Sequence, residues 1–382
     1  MQASGTGEER MRIVHVAPFY TPVVGGVEEV VRRVAEYTAA RGYETYVVTY
    51  NRLRRGRYNT LPREEEINGV HVIRLKPDLT WSHGTYSSEL PQAVKALKPD
   101  IVHVHVWRHP HVFQVVKLKR ELRFKAILHG HAPFYKLSQI DLVTCAYYRL
   151  ADAFGRIYSR AYDVYIALTP QEAEKVQKLR LSEKITVVPN GVEEDQCAGR
   201  EDAKKPFEIL YLGRVSKSKN ISLLIEAMVY VSKEVNDAEL VIAGPDEGIA
   251  GKLLVRARRK SLRITYRRQV SEEEKHRLYA ESAVYALPSL YEGFGLTLLE
   301  AGIHGTPSVI TGDGGQLYAA PPNVASLWAK PKPKCYAEAI ITLLNDEKLR
   351  KRLGRQAREW AQQHVWKKIL PKYEKLYKQI AI

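Results

Sequence analysis

The chain has 382 residues, 45% of them hydrophobic and 27% charged, with 59 Lys and Arg against 43 Asp and Glu for a formal charge of +16. That composition excludes a disordered or collagen-like chain, and no apolar run approaches the ~20 residues a membrane-crossing helix needs. At ~100 to 200 residues per domain the length predicts two domains, and the charge predicts acidic partners (phosphorylated substrates, an anionic membrane surface, nucleic acid) unless it belongs to a heat-adapted, ion-paired surface.

Residues 1–10 are polar and precede a second methionine, Met11. They read as a flexible leader, not a secretory signal. Strand-like runs then recur at Ile13–Ala17, Thr45–Tyr50, Val70–Leu75, Ile101–Val106, Ala126–His129, Val164–Leu168 and Ile185–Val188, separated by helical patterns. This alternation predicts an α/β domain with a doubly wound parallel sheet over residues 11–190. Its first unit is MRIVHVA, a loop ending Val24-Gly25-Gly26, a helix through Arg41 and a stop at Gly42. The three cysteines, Cys145, Cys197 and Cys335, share no metal-type spacing, so neither zinc nor disulfides are expected and the compartment reads as reducing cytoplasm.

Two stretches of this domain carry competing meanings. His103, His105, His109, His111, His129 and His131 raise a metal-dependent hydrolase reading, because His-x-His on a strand puts both rings on one face. Against it, no Asp or Glu stands nearby in sequence to complete a ligand set, so no metal is expected. The stretch HVFQVVKLKRELRFK, residues 111–125, reads as a basic amphipathic helix. It fits a peripheral enzyme on the inner face of a cell membrane, and equally a core-facing helix with a solvated basic side.

PNGVEEDQCAGREDAKKP is dense in turn and charged residues and reads as a domain boundary. The rhythm restarts at Glu208–Leu212, Glu239–Ala243, Arg263–Tyr266, Ala283–Leu287 and Ser308–Thr311, predicting a second parallel-sheet domain over residues 191–355, and C-terminal helices over 356–382 that could cross back to the first. In such sheets ligands lie beyond the carboxyl ends of the strands.

SLYEGFGLTLLEAG, residues 289–302, follows a predicted strand. Gly293 and Gly295 permit a tight turn, and the helix that starts there offers its positive end to an anion. Glu300 shares a helical face with Leu296, Thr297, Ile303 and His304, surroundings that penalise an unpaired carboxylate. A ribose diol beside a diphosphate would satisfy it; so would a structural ion pair. In FEILYLGRVSKSKNISLLIEAM a Gly-Arg turn precedes a loop with Lys217 and Lys219 and a helix that Asn220 or Ser222 could cap. Arg214 and Lys219 there could meet phosphate oxygens or be ordinary surface basicity.

The two glutamates eight apart around GFG, the LGR and Lys219 loop, VVPNGV and PFYTPVVGGVEEVVRRVA together resemble the retaining glycosyltransferases of family 4. The resemblance covers nearly the whole chain and implies the GT-B fold, two Rossmann-like domains facing a cleft. It implies a hexose-type sugar carried from a nucleoside-diphosphate sugar, UDP- or GDP-linked, to a saccharide, polyol or lipid acceptor, with no cofactor and no metal in the site; separately, no nucleic-acid reading motif is present, so no nucleic acid partner is expected. By position, Glu300 resembles the ribose-binding glutamate, Glu292 the glutamate on the donor sugar, and Arg214 and Lys219 the pair on the diphosphate. The backbone from Phe294 through Gly295 and Leu296 to Thr297 lies where the family contacts sugar and phosphate. Gly25 and Gly26 match the loop that closes over the donor, His129 a histidine near the transferred sugar, and Arg268 and Val270 the segment near the base. Asn220 and Arg268 stand where glycine is usual. A scaffold or nucleotide-sugar sensor on the same fold is the non-enzymatic alternative.

Overall fold

The computed structural model describes residues 10–53, 58–81, 84–132, 134, 140, 142–194 and 204–381. The chain divides into two compact units, Met1–Pro133 with Val143–Val188 and Ile369–Ile382, and Phe134–Leu142 with Pro189–Lys368. Of the expected leader only Arg10 is among the described residues; Cys197 lies outside them, and Cys145 and Cys335 are free thiols.

In the first unit, β1 (Arg12–Val16) leads to α1 (Gly26–Ala40), β2 (Glu44–Tyr50), β3 (Glu64–Ile67), β4 (Val70–Leu75), β5 (Leu79–Trp81) and β6 (Gly84–Tyr86). Then come α2 (Leu90–Leu97), β7 (Ile101–His105), α3 (Pro110–Glu121), β8 (Lys125–His129), α4 (Leu142–Ser159), β9 (Val164–Ala167), α5 (Pro170–Lys178) and β10 (Ile185–Val187). An eight-stranded sheet runs β10-β9-β8-β7-β1-β2-β4-β3, parallel throughout except that β3 meets β4 antiparallel. Its central strands, such as β1 and β7, are short runs rich in β-branched residues and buried on both faces, as parallel sheets require. Helix α1 buries Val30, Val31, Val34 and Ala35, while Glu29, Arg32, Arg33 and Glu36 form ion pairs along its other side. The chain leaves it through Gly42 at φ 86°, where a side chain would be strained.

Helix α3 is shorter than its sequence pattern. It ends at Glu121, Leu122 is already extended, and Lys125 opens β8. Val112, Val115, Val116 and Leu118 are all buried, so its apolar side faces the core and no apolar face remains for a membrane. Among the described residues no helix is long and apolar enough to cross one.

Helix α5 starts on Thr169, whose side-chain oxygen accepts from Glu172 N at 3.1 Å. Thr169→Ala is therefore expected to destabilise the protein by about 1 kcal/mol, read as a lower urea midpoint at unchanged slope.

The second unit contains β11 (Lys205–Leu212), a 3₁₀ turn at Lys217–Lys219, α6 (Ile221–Glu234), β12 (Glu239–Ala243), α7 (Ala250–Arg259), β13 (Ile264–Arg267), α8 (Glu272–Glu281) and β14 (Ser282–Leu287). It continues through β15 (Tyr291–Glu292), α9 (Leu296–Ile303), β16 (Ser308–Ile310), β17 (Asp313–Gly314), α10 (Gln316–Ala319), β18 (Ser326–Trp328), α11 (Pro333–Asn345) and α12 (Glu347–Gln362). The parallel sheet order is β13-β12-β11-β14-β16-β18, and β15 pairs β17 separately. The division between units falls after Val188, and residues 356–368 stay with the second unit. The last helix, α13 (Trp366–Ala381), belongs to the first unit from Ile369 onward. There Tyr37 and Tyr43 donate to Glu374 at 3.1 and 3.3 Å, and Tyr377 bonds His103 Nδ1 at 2.7 Å.

Candidate active site

In the second unit the strand order reverses between β11 and β14, the place where open parallel sheets take ligands. The loop after β11 holds Gly213 at φ 151°, and a Cβ on Gly244, itself at φ 130°, would lie 2.1 Å from Gly213 O. The loops after β11 and β12 are thus pressed together in a way only glycine allows. Arg214, nearly half exposed, pairs with Glu247 across them at 2.8 Å. Asn220 follows Lys219 at φ 52°, the left-handed region that glycine favours and asparagine tolerates. That accounts for asparagine at a glycine position. It stands at the start of α6 without capping it by its side chain; Nδ2 instead donates to Pro288 O at 3.2 Å and ties this loop to the one after β14.

The loop after β14 is clamped by a second glycine loop. Asp313 N donates to Leu290 O at 3.1 Å and Gly315 N to Glu292 O at 2.8 Å, and a Cβ on Gly315 would lie 2.2 Å from Gly293 O. Gly295, at φ 93°, turns the chain into α9, whose first turn presents the positive end of the helix beside Leu296 and Thr297. Phe294 is buried against Tyr318, with centroids 6.0 Å apart, so it fixes the turn while its backbone stays in the loop.

The central contact is between two predicted site residues. Lys219 Nζ donates to both oxygens of Glu292, at 2.7 and 2.8 Å, with the side chains 21% and 13% exposed. Expected to serve diphosphate and sugar separately, they hold one another. Glu300 accepts from Tyr279 Oη at 2.8 Å, and Lys275 Nζ lies 3.5 Å from its other oxygen. Burial alone would lower the Lys275 pKa; Glu300 and Glu272 outweigh it and hold it above its usual value. Burial and then Glu300 push the Tyr279 phenol well up. Arg268 is exposed beyond β13 in the field of Asp246, followed by half-buried Val270. The structure therefore gathers Arg214, Lys219, Arg268, Val270, Glu292 to Thr297 and Glu300 on one rim of one sheet.

Gly25, Gly26 and His129 lie in the first unit. Gly25 is extended at φ 177° and precedes α1. His129 has no exposed surface; it sits among His103, His105, His131 and Tyr373, so as it stands its ring is walled off from any sugar. Sequence reading missed Lys275, Tyr279 and Glu247, the partners of Glu300 and Arg214. No local motif marks them, since each meets its carboxylate or guanidinium from a different element.

Residues 193–360 match the family model described as Glycosyl transferases group 1, and residues 24–196 the one described as Glycosyltransferase Family 4. The chain is 27% identical to an uncharacterized glycosyltransferase of Methanocaldococcus jannaschii, over 96% of this chain and 98% of that one. It is 25% identical to the GDP-mannose:cellobiosyl-diphosphopolyprenol alpha-mannosyltransferase of Komagataeibacter xylinus, over 79% of this chain and 75% of that one. Among solved structures, sucrose-phosphate synthase from Thermosynechococcus elongatus superposes with a TM-score of 0.80 at 22% identity, covering 97% of this chain and 99% of that chain. With two family matches that together run from residue 24 to residue 360, on parallel-sheet units with a basic and glycine-rich rim, this chain belongs to family 4 of the GT-B glycosyltransferases.

Proposed function

We propose that the enzyme moves a hexose-type sugar from a nucleoside-diphosphate sugar to an acceptor hydroxyl with retention at the anomeric carbon, and without a metal ion at the transfer site. The observation that carries this reading is the Lys219–Glu292 pair at the mouth of α9, on the rim that also holds Arg214. A diphosphate set there meets a helix N-terminus and two cations, charge stabilisation that other transferases draw from a bound metal. Lys219 then turns part of its charge from Glu292 to the leaving phosphate, and Glu292 is left to accept hydroxyls of the sugar.

In the step itself the bond from the anomeric carbon to the phosphate oxygen breaks. The bond from the acceptor oxygen to that carbon forms on the same face, and the acceptor proton passes to the departing phosphate. Arg214, Lys219 and α9 stabilise the charge that develops on that phosphate. Glu300 grips the ribose, with Tyr279 and Lys275 fixing its carboxylate. The first unit is proposed to supply the acceptor, a saccharide, polyol or lipid.

Calorimetric titration with UDP, GDP and ADP and their sugars, in chelator, tests the reading; GDP-mannose comes first because the Komagataeibacter relative is named for it. One nucleotide is expected to bind. Glu300→Gln is expected to weaken it about tenfold, ~1.4 kcal/mol, with a smaller change in turnover. Binding without transfer to any acceptor would favour the sensor instead.

A further inference from the structure

We propose that His105, His129 and His131 form a site for one divalent transition-metal ion of the zinc, cobalt, nickel or copper class, inside the first unit. Strand register assembles the site. His15 on β1 is level with His103 on β7, and His105 on β7 with His129 on β8. His103 and His105, two residues apart, project from the same face. All four rings are fully buried, and His131 retains 8% exposure.

Their polar atoms do not satisfy one another. His15 Nδ1 bonds His105 Nε2 at 3.1 Å, His105 Nδ1 bonds His131 Nε2 at 3.0 Å, and His103 Nδ1 bonds Tyr377. Left without partners among the described residues are His15 Nε2, His103 Nε2, Tyr373 Oη and both ring nitrogens of His129. A buried polar group with no partner is costly, and a neutral imidazole lone pair is a ready metal ligand.

The three rings chosen offer ligand atoms within 4.8 Å of one another. His105 Nδ1 and His131 Nε2, 3.0 Å apart, are already close to the ~3.3 Å that separates two nitrogens each about 2.0–2.1 Å from a tetrahedral ion. An ion between them replaces one hydrogen bond with two coordinate bonds and engages His129. His105 Nε2–H then donates to His15 Nδ1, the outer contact that fixes a ligand's tautomer. His111 Nε2–H donates to His105 O at 2.7 Å and steadies the strand end. Between His129 and His131 only glycine fits, since a Cβ on Gly130 would lie 1.6 Å from Tyr165 Oη. His131 is buried as well, but the 8% of it that stays exposed is the side from which an ion would enter. A second group, His15 with His103 and His105, shares His105, but it lacks the ring with two unengaged nitrogens, and none of its rings has any exposed surface. Neither group contains a carboxylate, and the neighbouring Glu172 already accepts from Ala132 N, Leu168 N and Tyr165. Three neutral imidazoles with a fourth position for water suit the ions named and disfavour magnesium, calcium and manganese.

The proposal is independent of sugar transfer, and its test reads the metal. The full chain, stripped with chelator, is titrated with cobalt(II) while visible absorption is recorded, and zinc is measured after desalting. One equivalent of cobalt in a four-coordinate spectrum, displaced by zinc, with a higher melting temperature when zinc is present, is the expected result. His129→Gln and His131→Gln are each expected to weaken binding at least tenfold, while His103→Gln binds like the parent. Should His129→Gln fail to fold, the more exposed His131→Gln decides. No stoichiometric binding to the parent chain, or binding that survives in His131→Gln because it resides on exposed histidines such as His71, overturns the proposal.

Discussion

Acidifying the chelator-treated protein from pH 7 is expected to unfold its first unit with a midpoint between about pH 4 and pH 5, once the lost stabilisation from its buried histidines has consumed a native stability of about 5 to 15 kcal/mol. Burial lowers the pKa of His15 and His131 to about 3 and of His111 to about 4, and it holds His103, His105 and His129 well below the usual value. The folded protein keeps these rings neutral while the unfolded chain takes up protons below its ordinary pKa of about 6.5. Their stabilisation is therefore complete above that value and is lost as the pH falls toward the folded one. The three rings with stated values alone remove about 4 kcal/mol per pH unit once the unfolded chain is protonated. Glu172 works the other way: burial raises its carboxyl to about 7, so it gains stability on acidification and offsets roughly one histidine. Circular dichroism against pH checks the outcome. A fold unchanged at pH 4 would show that protonating these rings costs the native state less than their burial implies, and bound zinc should move the midpoint to lower pH.

Lys219→Ala is expected to lower turnover by about 10² to 10³, ~3 to 4 kcal/mol of transition-state stabilisation, with only a few degrees lost in melting temperature. The side chain is expected to be needed twice, as the partner of Glu292 in the free enzyme and as a fixed cation against the leaving phosphate. These roles separate in a double-mutant cycle with Glu292→Gln. If Lys219 only positions Glu292, the double variant is no worse than Glu292→Gln; if it also meets phosphate, a further loss remains. Steady-state kinetics on the four proteins reads the difference. Full activity in Lys219→Ala would remove the residue from the mechanism.

Most strands of the two sheets were legible because they are compact apolar runs between turn residues, from IVHV at Ile13 to SVI at Ser308; β18, only SLW, was too short to stand out. β3 was not: its sequence, EEEI, has no apolar alternation, and only pairing with β4 makes it a strand. β15 and β17 are two residues long, and the glycines in and next to them, Gly293, Gly314 and Gly315, suggest turns. The over-long reading of α3 followed basic periodicity past Leu122, where the backbone had already become extended. At the site, the glycines and charged residues were visible, but the pairing of Lys219 with Glu292 joins positions 73 apart and is a property of two loops meeting. His15 likewise stands alone in sequence and joins the other histidines only through strand register.

The antiparallel edge strand β3 has a consequence for the behaviour of the chain in a crowded solution. A sheet edge exposes unpaired N–H and C=O groups that recruit strands from other molecules. Here that edge carries Glu64, Glu65 and Glu66 in succession, and Glu65 is drawn inward to the buried Arg74. Two copies approaching edge to edge would bring like charges together before any hydrogen bond could form. A strand with almost no hydrophobic content thus sets a charge barrier against fibrous self-association, and replacing Glu64 and Glu66 with valine is expected to make the chain precipitate through its sheet.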